Sequence, residues 1–348
     1  MRIEDSDFRS STILDMGRTI GVIGAGGWGT ALAKLLCDKG MDVVLWCRSE
    51  ESYRQILQNR ENRLYLPGIL LPETIKATRS LREAVSEKEI LVCALPSHGV
   101  RETLGPAFSF MSSRTVIVCG TKGIEEGSLM TMGEVLTGIS GDSHPTAFLS
   151  GPTFAAEVAC GLPAAVTAAS RDEGVAREVQ DALSTERFRV YTSPDVVGVQ
   201  LGGAIKNVIA IAAGISDGLG LGLNSRAALI TRGLAEMTRL AVALGADAPT
   251  LSGLAGLGDL VLTCTGELSR NRKVGVRIGR GENLKEIVEG TRMVAEGIRN
   301  TRSIYLLARR AGVETPIVDQ MHSVLHEDKE PRLAVRDLML RSLKPEQG

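Results

Sequence analysis

Aromatic residues are scarce: 348 residues hold six Phe, four Tyr and two Trp. Neither charge is in excess, with 40 Lys and Arg against 41 Asp and Glu and a formal net charge of -1. Binding of nucleic acid draws on a basic footprint and on stacking platforms, so no nucleic-acid partner is expected. Long hydrophobic runs are missing too. Stretches such as Val208 to Ile215 fall short of the roughly 20 apolar residues that cross a bilayer, and no membrane insertion is expected. The first 17 residues are polar and of mixed charge where a signal peptide has an apolar core, and they read as a loose extension. The cysteines Cys37, Cys47, Cys93, Cys119, Cys160 and Cys264 form no C-x-x-C pair, and most sit in apolar runs such as Ile90 to Cys93. Such thiols behave as small buried hydrophobes, which fits a reducing cytoplasm without disulfides or structural zinc.

What remains is an ordinary globular composition, 43% hydrophobic, of one or two domains. Arg18 to Ile23 is a β-branched apolar run, followed by a glycine cluster and by Thr30 to Leu36, whose spacing is helical and which stops at Gly40. Asp42 to Cys47 supplies a second strand and completes a βαβ unit. Continuous apolar runs recur at Ile90 to Leu95, Thr115 to Cys119 and Thr146 to Leu149. Continuity without alternation indicates a parallel sheet covered on both faces. Strand-like segments at Ala164 to Ala168 and Phe188 to Tyr191 flank a polar helix at 172–184. After Pro194 strand signals vanish, and Val196 to Leu219, Ala227 to Leu244, Leu284 to Val288 and Thr301 to Ala311 read as helices. The expected class is α/β. A polar extension (1–17) precedes a Rossmann-like, doubly wound, mostly parallel dinucleotide-binding domain (18–193), and an all-helical substrate-binding and catalytic domain (194–342) follows.

Gly24-Ala-Gly26-Gly-Trp-Gly29 matches G-x-G-x-x-G between a strand and a helix. Gly24 permits the tight turn, Gly26 lets backbone approach a pyrophosphate, and Gly29 lets helix and strand pack closely. The helix beginning near Gly27 offers its first N–H groups to phosphates. A glycine turn without a ligand is the alternative. About 20 residues further on, where an acid for the ribose is expected, the chain has Trp46-Cys47-Arg48. An arginine there suits a 2′-phosphate, hence NADPH beside NADH, unless Arg48 only caps the strand in solvent.

Gly203, Lys206, Asn207, Ala210, Gly214 and Asp217 share one side of the long apolar helix. A lysine in such a setting is paired and tuned toward general acid–base use, or it snorkels to the surface. Asp259, after Gly256-Leu-Gly258, is its candidate counter-ion. Ser269-Arg270-Asn271 offers a guanidinium fork and an amide for a small anion such as phosphate, although Arg270 to Arg280 also reads as a solvated basic face. Thr121-Lys122-Gly123 and Ser150-Gly151-Pro-Thr153 follow strands, at the end of the sheet where open α/β folds bind ligands. There Lys122, the Gly151 N–H and the Thr153 hydroxyl are candidate donors. His322 and His326 have no third ligand nearby and no H-E-x-x-H pattern, so no metal is expected. Hydrolase and kinase motifs are missing.

In order, Gly24-x-Gly-x-Trp-Gly29, Thr121-Lys-Gly-Ile124, Ser150-Gly-Pro-Thr-Phe-Ala-x-Glu157, Gly203-Ala-Ile-Lys-Asn207, Gly258-Asp259 and Arg270-Asn-Arg-Lys273 resemble the bacterial-type NAD(P)-dependent glycerol-3-phosphate dehydrogenases over about residues 18 to 340. Relatives often carry Asn or Ser where this chain has Gly27. The resemblance implies reversible hydride transfer between NADPH or NADH and dihydroxyacetone phosphate, giving sn-glycerol 3-phosphate for phospholipid synthesis. It implies a cytoplasmic homodimer that needs no metal. Lys206 would give and take the proton, Lys122 would polarise the carbonyl, and Asp259 would orient Lys206. Lys122, Gly151, Thr153, Lys206, Asn207, Asp259, Ser269, Arg270 and Asn271 would hold the substrate. The coenzyme would touch Gly24, Gly26, Gly27, Trp28, Gly29, Arg48, Lys122, Ala155, Arg270, Val294 and Glu296. Two other readings fit parts of the pattern: a 3-hydroxyacid dehydrogenase of similar architecture, whose substrate carries a carboxylate, and a non-catalytic NAD(P)H-sensing module, which needs no poised lysine.

Overall fold

The computed structural model describes residues 17–290, 296–343 and 345–346; the polar extension, Gly17 apart, and Val294 lie outside the described residues. The apolar runs on either side of the glycine cluster become neighbouring parallel strands. β1 (Thr19–Ile23) pairs with β2 (Asp42–Trp46) from Thr19 opposite Asp42 to Ile23 opposite Trp46, and the helix Gly27–Asp38 joins them. A helix Glu50–Asn59 follows, then a small antiparallel hairpin of β3 (Glu61–Asn62) and β4 (Leu66–Leu70). The remaining strands are β5 (Lys76–Thr78), β6 (Ile90–Cys93), β7 (Val116–Cys119), β8 (Thr146–Ser150), β9 (Ala164–Ala169) and β10 (Phe188–Ser193).

Eight strands form one sheet in the order β10-β9-β8-β7-β6-β1-β2-β5, parallel throughout except between β8 and β9. Every residue of β6 and β7 is buried, as continuous apolar strands covered on both faces require. The order reverses about β1, which lies between β2 and β6. The carboxyl ends of the strands at such a switch point are where doubly wound sheets bind ligands.

Beyond β10 the chain is helical. Val196–Gly218 runs for 23 residues, and an 18-residue window of it has a mean hydropathy of 1.6. Length and composition alone would let it cross a bilayer, although its longest uninterrupted apolar stretch is short. It is a core helix: 89% of that window is buried inside the protein. Gly222–Ala243, Asp259–Thr265, Arg270–Gly279, Leu284–Glu289, Glu296–Arg310, Pro316–His326 and Pro331–Met339 follow. The chain divides into two compact units: the part up to Lys122 with Met130–Gln200, and Gly123–Leu129 with the part from Leu201 onward. Gly123–Leu129 belongs with the helices, and the Ile124 N–H donates to Oδ1 of the buried Asn300 at 3.3 Å. The architecture is a Rossmann-like α/β sheet followed by a helical domain.

Candidate active site

In the first unit the glycine cluster turns the chain from β1 into the helix Gly27–Asp38. Gly24 has φ +114°, a left-handed conformation that favours glycine, and a Cβ there would lie 2.7 Å from the Ala94 carbonyl oxygen. A Cβ on Gly29 would lie 1.9 Å from the Gly24 carbonyl oxygen, so the helix presses directly on the turn. Gly26 is the N-cap, and no side chain caps the helix. A Cβ built on Gly26 meets nothing within 4 Å. The leading N–H groups of a helix have no partner within it and carry its positive dipole end. An open cradle over Gly26 fits the pyrophosphate of a dinucleotide; the buried, unpartnered indole Nε1 of Trp28 lies against Gly120 instead. Gly27 lies against Ala155, whose Cβ is 3.7 Å from where a Cβ on Gly27 would stand.

Arg48 is exposed just past the end of β2. Glu50, the nearest following carboxylate, accepts from Arg54 Nε at 2.7 Å and from Arg79 at 2.5 Å. Those two guanidinium groups hold its carboxyl below the usual range. Glu50 is thus engaged by two arginines, whereas Arg48 is exposed to solvent. At the ends of β7 and β8, half-buried Lys122 donates to the Gly151 carbonyl oxygen at 3.4 Å, and Thr153 Oγ1 donates to the same oxygen at 3.1 Å.

In the second unit Lys206 and Asp259 form a buried ion pair, 6% and 1% exposed. Lys206 Nζ also donates to Thr263 Oγ1 at 2.8 Å, and that hydroxyl donates to the Asp259 backbone carbonyl at 2.6 Å. Thr263 stands one helical turn after Asp259, on the same face. A π-helical turn, Leu254–Gly258, delivers Asp259, and Gly202, one turn before Lys206, makes room for it. A Cβ on Gly202 would lie 2.6 Å from the Ala255 carbonyl oxygen.

The rest of the small-residue face receives the helix Arg270–Gly279. Gly214 and Gly218 lie against Gly275 and Gly279 so closely that a Cβ on Gly214 would sit 2.1 Å from the Arg272 carbonyl oxygen. Backbones approach this way only where both helices present glycine. Asp217 locks the crossing, accepting from Arg226 Nε at 2.8 Å and Arg272 Nε at 2.7 Å. A buried amide relay runs alongside: the Gly297 N–H donates to Asn271 Oδ1 at 3.1 Å, Asn271 Nδ2 to Asn207 Oδ1 at 2.8 Å, and Asn207 Nδ2 to the Gly203 carbonyl oxygen at 3.3 Å. Ser269 is the N-cap of Arg270–Gly279, its hydroxyl accepting from the Arg272 N–H at 3.2 Å. Arg270, the first residue of that helix, is exposed. Glu296 begins the next helix but one, beside Gly297. The second unit thus gathers Lys206 with Asp259, and Asn207, Asn271 and Gly297 in one relay; the first gathers the glycine turn with Ala155, and Lys122 with Gly151 and Thr153.

Residues 19–176 match the family described as NAD-dependent glycerol-3-phosphate dehydrogenase N-terminus, and residues 195–336 match its C-terminus. The chain belongs to the NAD-dependent glycerol-3-phosphate dehydrogenases. It is 54% identical over 333 residues to the glycerol-3-phosphate dehydrogenase (NAD(P)+) of Citrifermentans bemidjiense, covering 95% of this chain and 99% of the relative. The corresponding enzyme of Geobacter sulfurreducens is 53% identical over 333 residues, with the same coverage of both chains. The crystal structure of glycerol-3-phosphate dehydrogenase from Coxiella burnetii matches with a TM-score of 0.90 and 42% identity, covering 94% of this chain and 99% of that one. As a glycerol-3-phosphate dehydrogenase the chain is an oxidoreductase of the NAD(P)-dependent class. Two further buried polar residues bond to these groups: Thr263 to the Lys206–Asp259 pair, and Asn62 to the glycine turn. Thr263 had a sequence signal in its spacing of four from Asp259. Asn62, which is fully buried and donates to the Ala25 carbonyl oxygen at 2.8 Å and to Thr30 Oγ1 at 2.9 Å, had none.

Proposed function

We propose that the chain catalyses reversible reduction of dihydroxyacetone phosphate to sn-glycerol 3-phosphate with NADPH or NADH, with Lys206 as general acid and base. The supporting observation is the buried Lys206–Asp259 pair. Replacing a buried ion pair by apolar groups is often neutral or stabilising, so stability does not account for this one, whereas proton transfer does.

Residues 18–193 take the coenzyme, through Gly24, Gly26, Gly27, Trp28, Gly29, Arg48, Lys122 and Ala155. Residues 194–342 take the substrate and carry the acid–base chemistry, and the family resemblance assigns Arg270, Val294 and Glu296 to the coenzyme as well. Bound NAD(P)H supplies the hydride. Lys206 donates a proton to the carbonyl oxygen as charge develops there, and in oxidation it takes the proton back from the hydroxyl. Asp259 and Thr263 fix the ammonium, because each accepts one of its hydrogens. Lys122 polarises the carbonyl, and a lysine cation with hydrogen bonds carries the charge of the transition state. Gly151, Thr153, Asn207, Ser269, Arg270 and Asn271 hold the phosphate-bearing substrate; the fork of Arg270 suits a phosphate better than a carboxylate of a hydroxyacid.

The enzyme works in the cytoplasm as a homodimer and supplies phospholipid synthesis. Five of the six cysteines are buried and all are free thiols, which supports a reducing compartment; the dimer and the metabolic role rest on the family. The test is loss of absorbance at 340 nm when the protein meets dihydroxyacetone phosphate with NADPH or NADH. Oxidation of either coenzyme is expected. Silence from folded protein that still binds coenzyme would overturn the reading.

A further inference from the structure

The hairpin β3–β4 leans on the coenzyme turn. Leu66 packs in a cluster with Ala31 and Ala159, against which Trp28 and Ala155 also pack. A Cβ on Gly27 would lie 3.0 Å from the Tyr65 carbonyl oxygen, so the hairpin backbone sits directly over the start of the helix. Asn62 is held within it, its backbone carbonyl accepting from the Tyr65 N–H at 3.2 Å, and it pairs opposite Leu66 just after an irregularity in the hairpin register between Glu61 and Asn62. From that anchorage the fully buried side chain sends both amide hydrogens to the glycine segment, one to the Ala25 carbonyl oxygen at 2.8 Å and one to Thr30 Oγ1 at 2.9 Å. These two acceptors bracket Gly26 to Gly29.

The bond to Ala25 has a directional consequence. In a trans peptide the carbonyl of one residue and the N–H of the next point to opposite sides of the chain, and the chain has no cis peptide. Holding the Ala25 oxygen toward Asn62 therefore turns the Gly26 N–H the other way. The Gly26 carbonyl is fixed in turn by the Thr30 N–H at 2.9 Å. Glycine has no Cβ to restrain its own backbone, so a peptide flanked by Gly26 needs an outside group to keep one orientation. Asn62 is that group.

We propose that Asn62 is a positioning residue for the coenzyme: it sets the plane of the Ala25–Gly26 peptide so that the Gly26 N–H is presented to the coenzyme pyrophosphate. The inference rests on the dinucleotide reading of the glycine turn and extends it to a residue that lies outside the G-x-G-x-x-G pattern. Preorganised backbone donors bind charge without first having to reorient, so losing the clamp weakens coenzyme binding while the substrate contacts stay as they are.

The experiment measures the dissociation constant of NADPH by protein fluorescence quenching, with thermal unfolding and steady-state kinetics alongside, for wild type, Asn62→Ala, Asn62→Asp and Thr30→Val. Asn62→Asp keeps the shape but faces the Ala25 carbonyl with a carboxylate, so it serves if the alanine variant does not fold. Asn62→Ala and Asn62→Asp should raise the dissociation constant about tenfold or more, as expected for a lost hydrogen bond that organises a charged ligand site. At saturating coenzyme kcat and the KM for dihydroxyacetone phosphate should stay within about twofold. Thr30→Val, which spares the bond to Ala25, should bind within about threefold of wild type. A purely structural Asn62 would lower the unfolding temperature and the active fraction while leaving the dissociation constant unchanged, and that result would overturn the proposal. So would equal weakening by Thr30→Val and Asn62→Ala. Wild type that fails to bind NADPH would instead remove the dinucleotide reading itself.

Discussion

Lys206 and Asp259 are 53 residues apart in sequence, yet they face each other across two helices with almost no solvent contact. Removing one partner strands the other as a buried charge. Asp259→Asn should therefore lower the unfolding free energy by about 3–5 kcal/mol, read by urea denaturation, and slow turnover. The double variant Lys206→Met with Asp259→Leu should regain most of the stability and none of the activity. A double variant that stays as unstable as the single one would show that the pair is kept for stability.

Arg270 stands exposed at the start of its helix with no carboxylate to neutralise it among the described residues. Arg270→Ala should raise the KM for dihydroxyacetone phosphate by about ten- to hundredfold, the scale of one charged hydrogen bond. An unchanged KM would take Arg270 out of the substrate site.

Arg48 and the committed carboxylate of Glu50 together predict the coenzyme preference. Arg48→Ala should cut kcat/KM for NADPH by about ten- to hundredfold and leave that for NADH within about threefold. Equal losses with both coenzymes would mean that Arg48 only caps the strand.

Much of this was legible in advance. The glycine turn, the continuous strands and Lys206 carry local signals: short-range spacing, uninterrupted burial and a charge inside an apolar helix. Asp259 could be nominated as the partner because carboxylates are few in that apolar stretch. Other features have no local signal. The antiparallel pairing of β8 with β9 depends on sheet order, and β3, with two residues, is too short for any periodicity. The close crossing of Gly214 and Gly218 with Gly275 and Gly279 needs both helices in view, since either glycine pair alone reads as a weak helix. Asn62 is a lone polar residue beside charged neighbours, and only the folded hairpin turns it toward the glycines.

Glu236 was invisible for the same reason. Its buried carboxylate accepts from the Ile317 N–H at 2.8 Å and the Val318 N–H at 3.3 Å, capping the helix Pro316–His326. Burial pushes its pKa up to about 7 from 4.5. The folded state then holds this proton more tightly than the unfolded chain does. Its contribution to stability is full below pH 4.5 and is lost as pH rises to about 7, a change of about 3 kcal/mol. Glu236→Gln should flatten that part of the profile, measured as unfolding temperature between pH 4.5 and 8 beside wild type. Parallel profiles would contradict the assignment.

The most direct test of the central claim is Lys206→Ala, assayed at 340 nm with dihydroxyacetone phosphate and NADPH while coenzyme binding is measured separately by fluorescence. The account predicts that kcat falls by about 10²–10⁴-fold, the usual share of a general acid, with the NADPH dissociation constant within about twofold of wild type. Turnover within tenfold of wild type would show that the proton comes from another group.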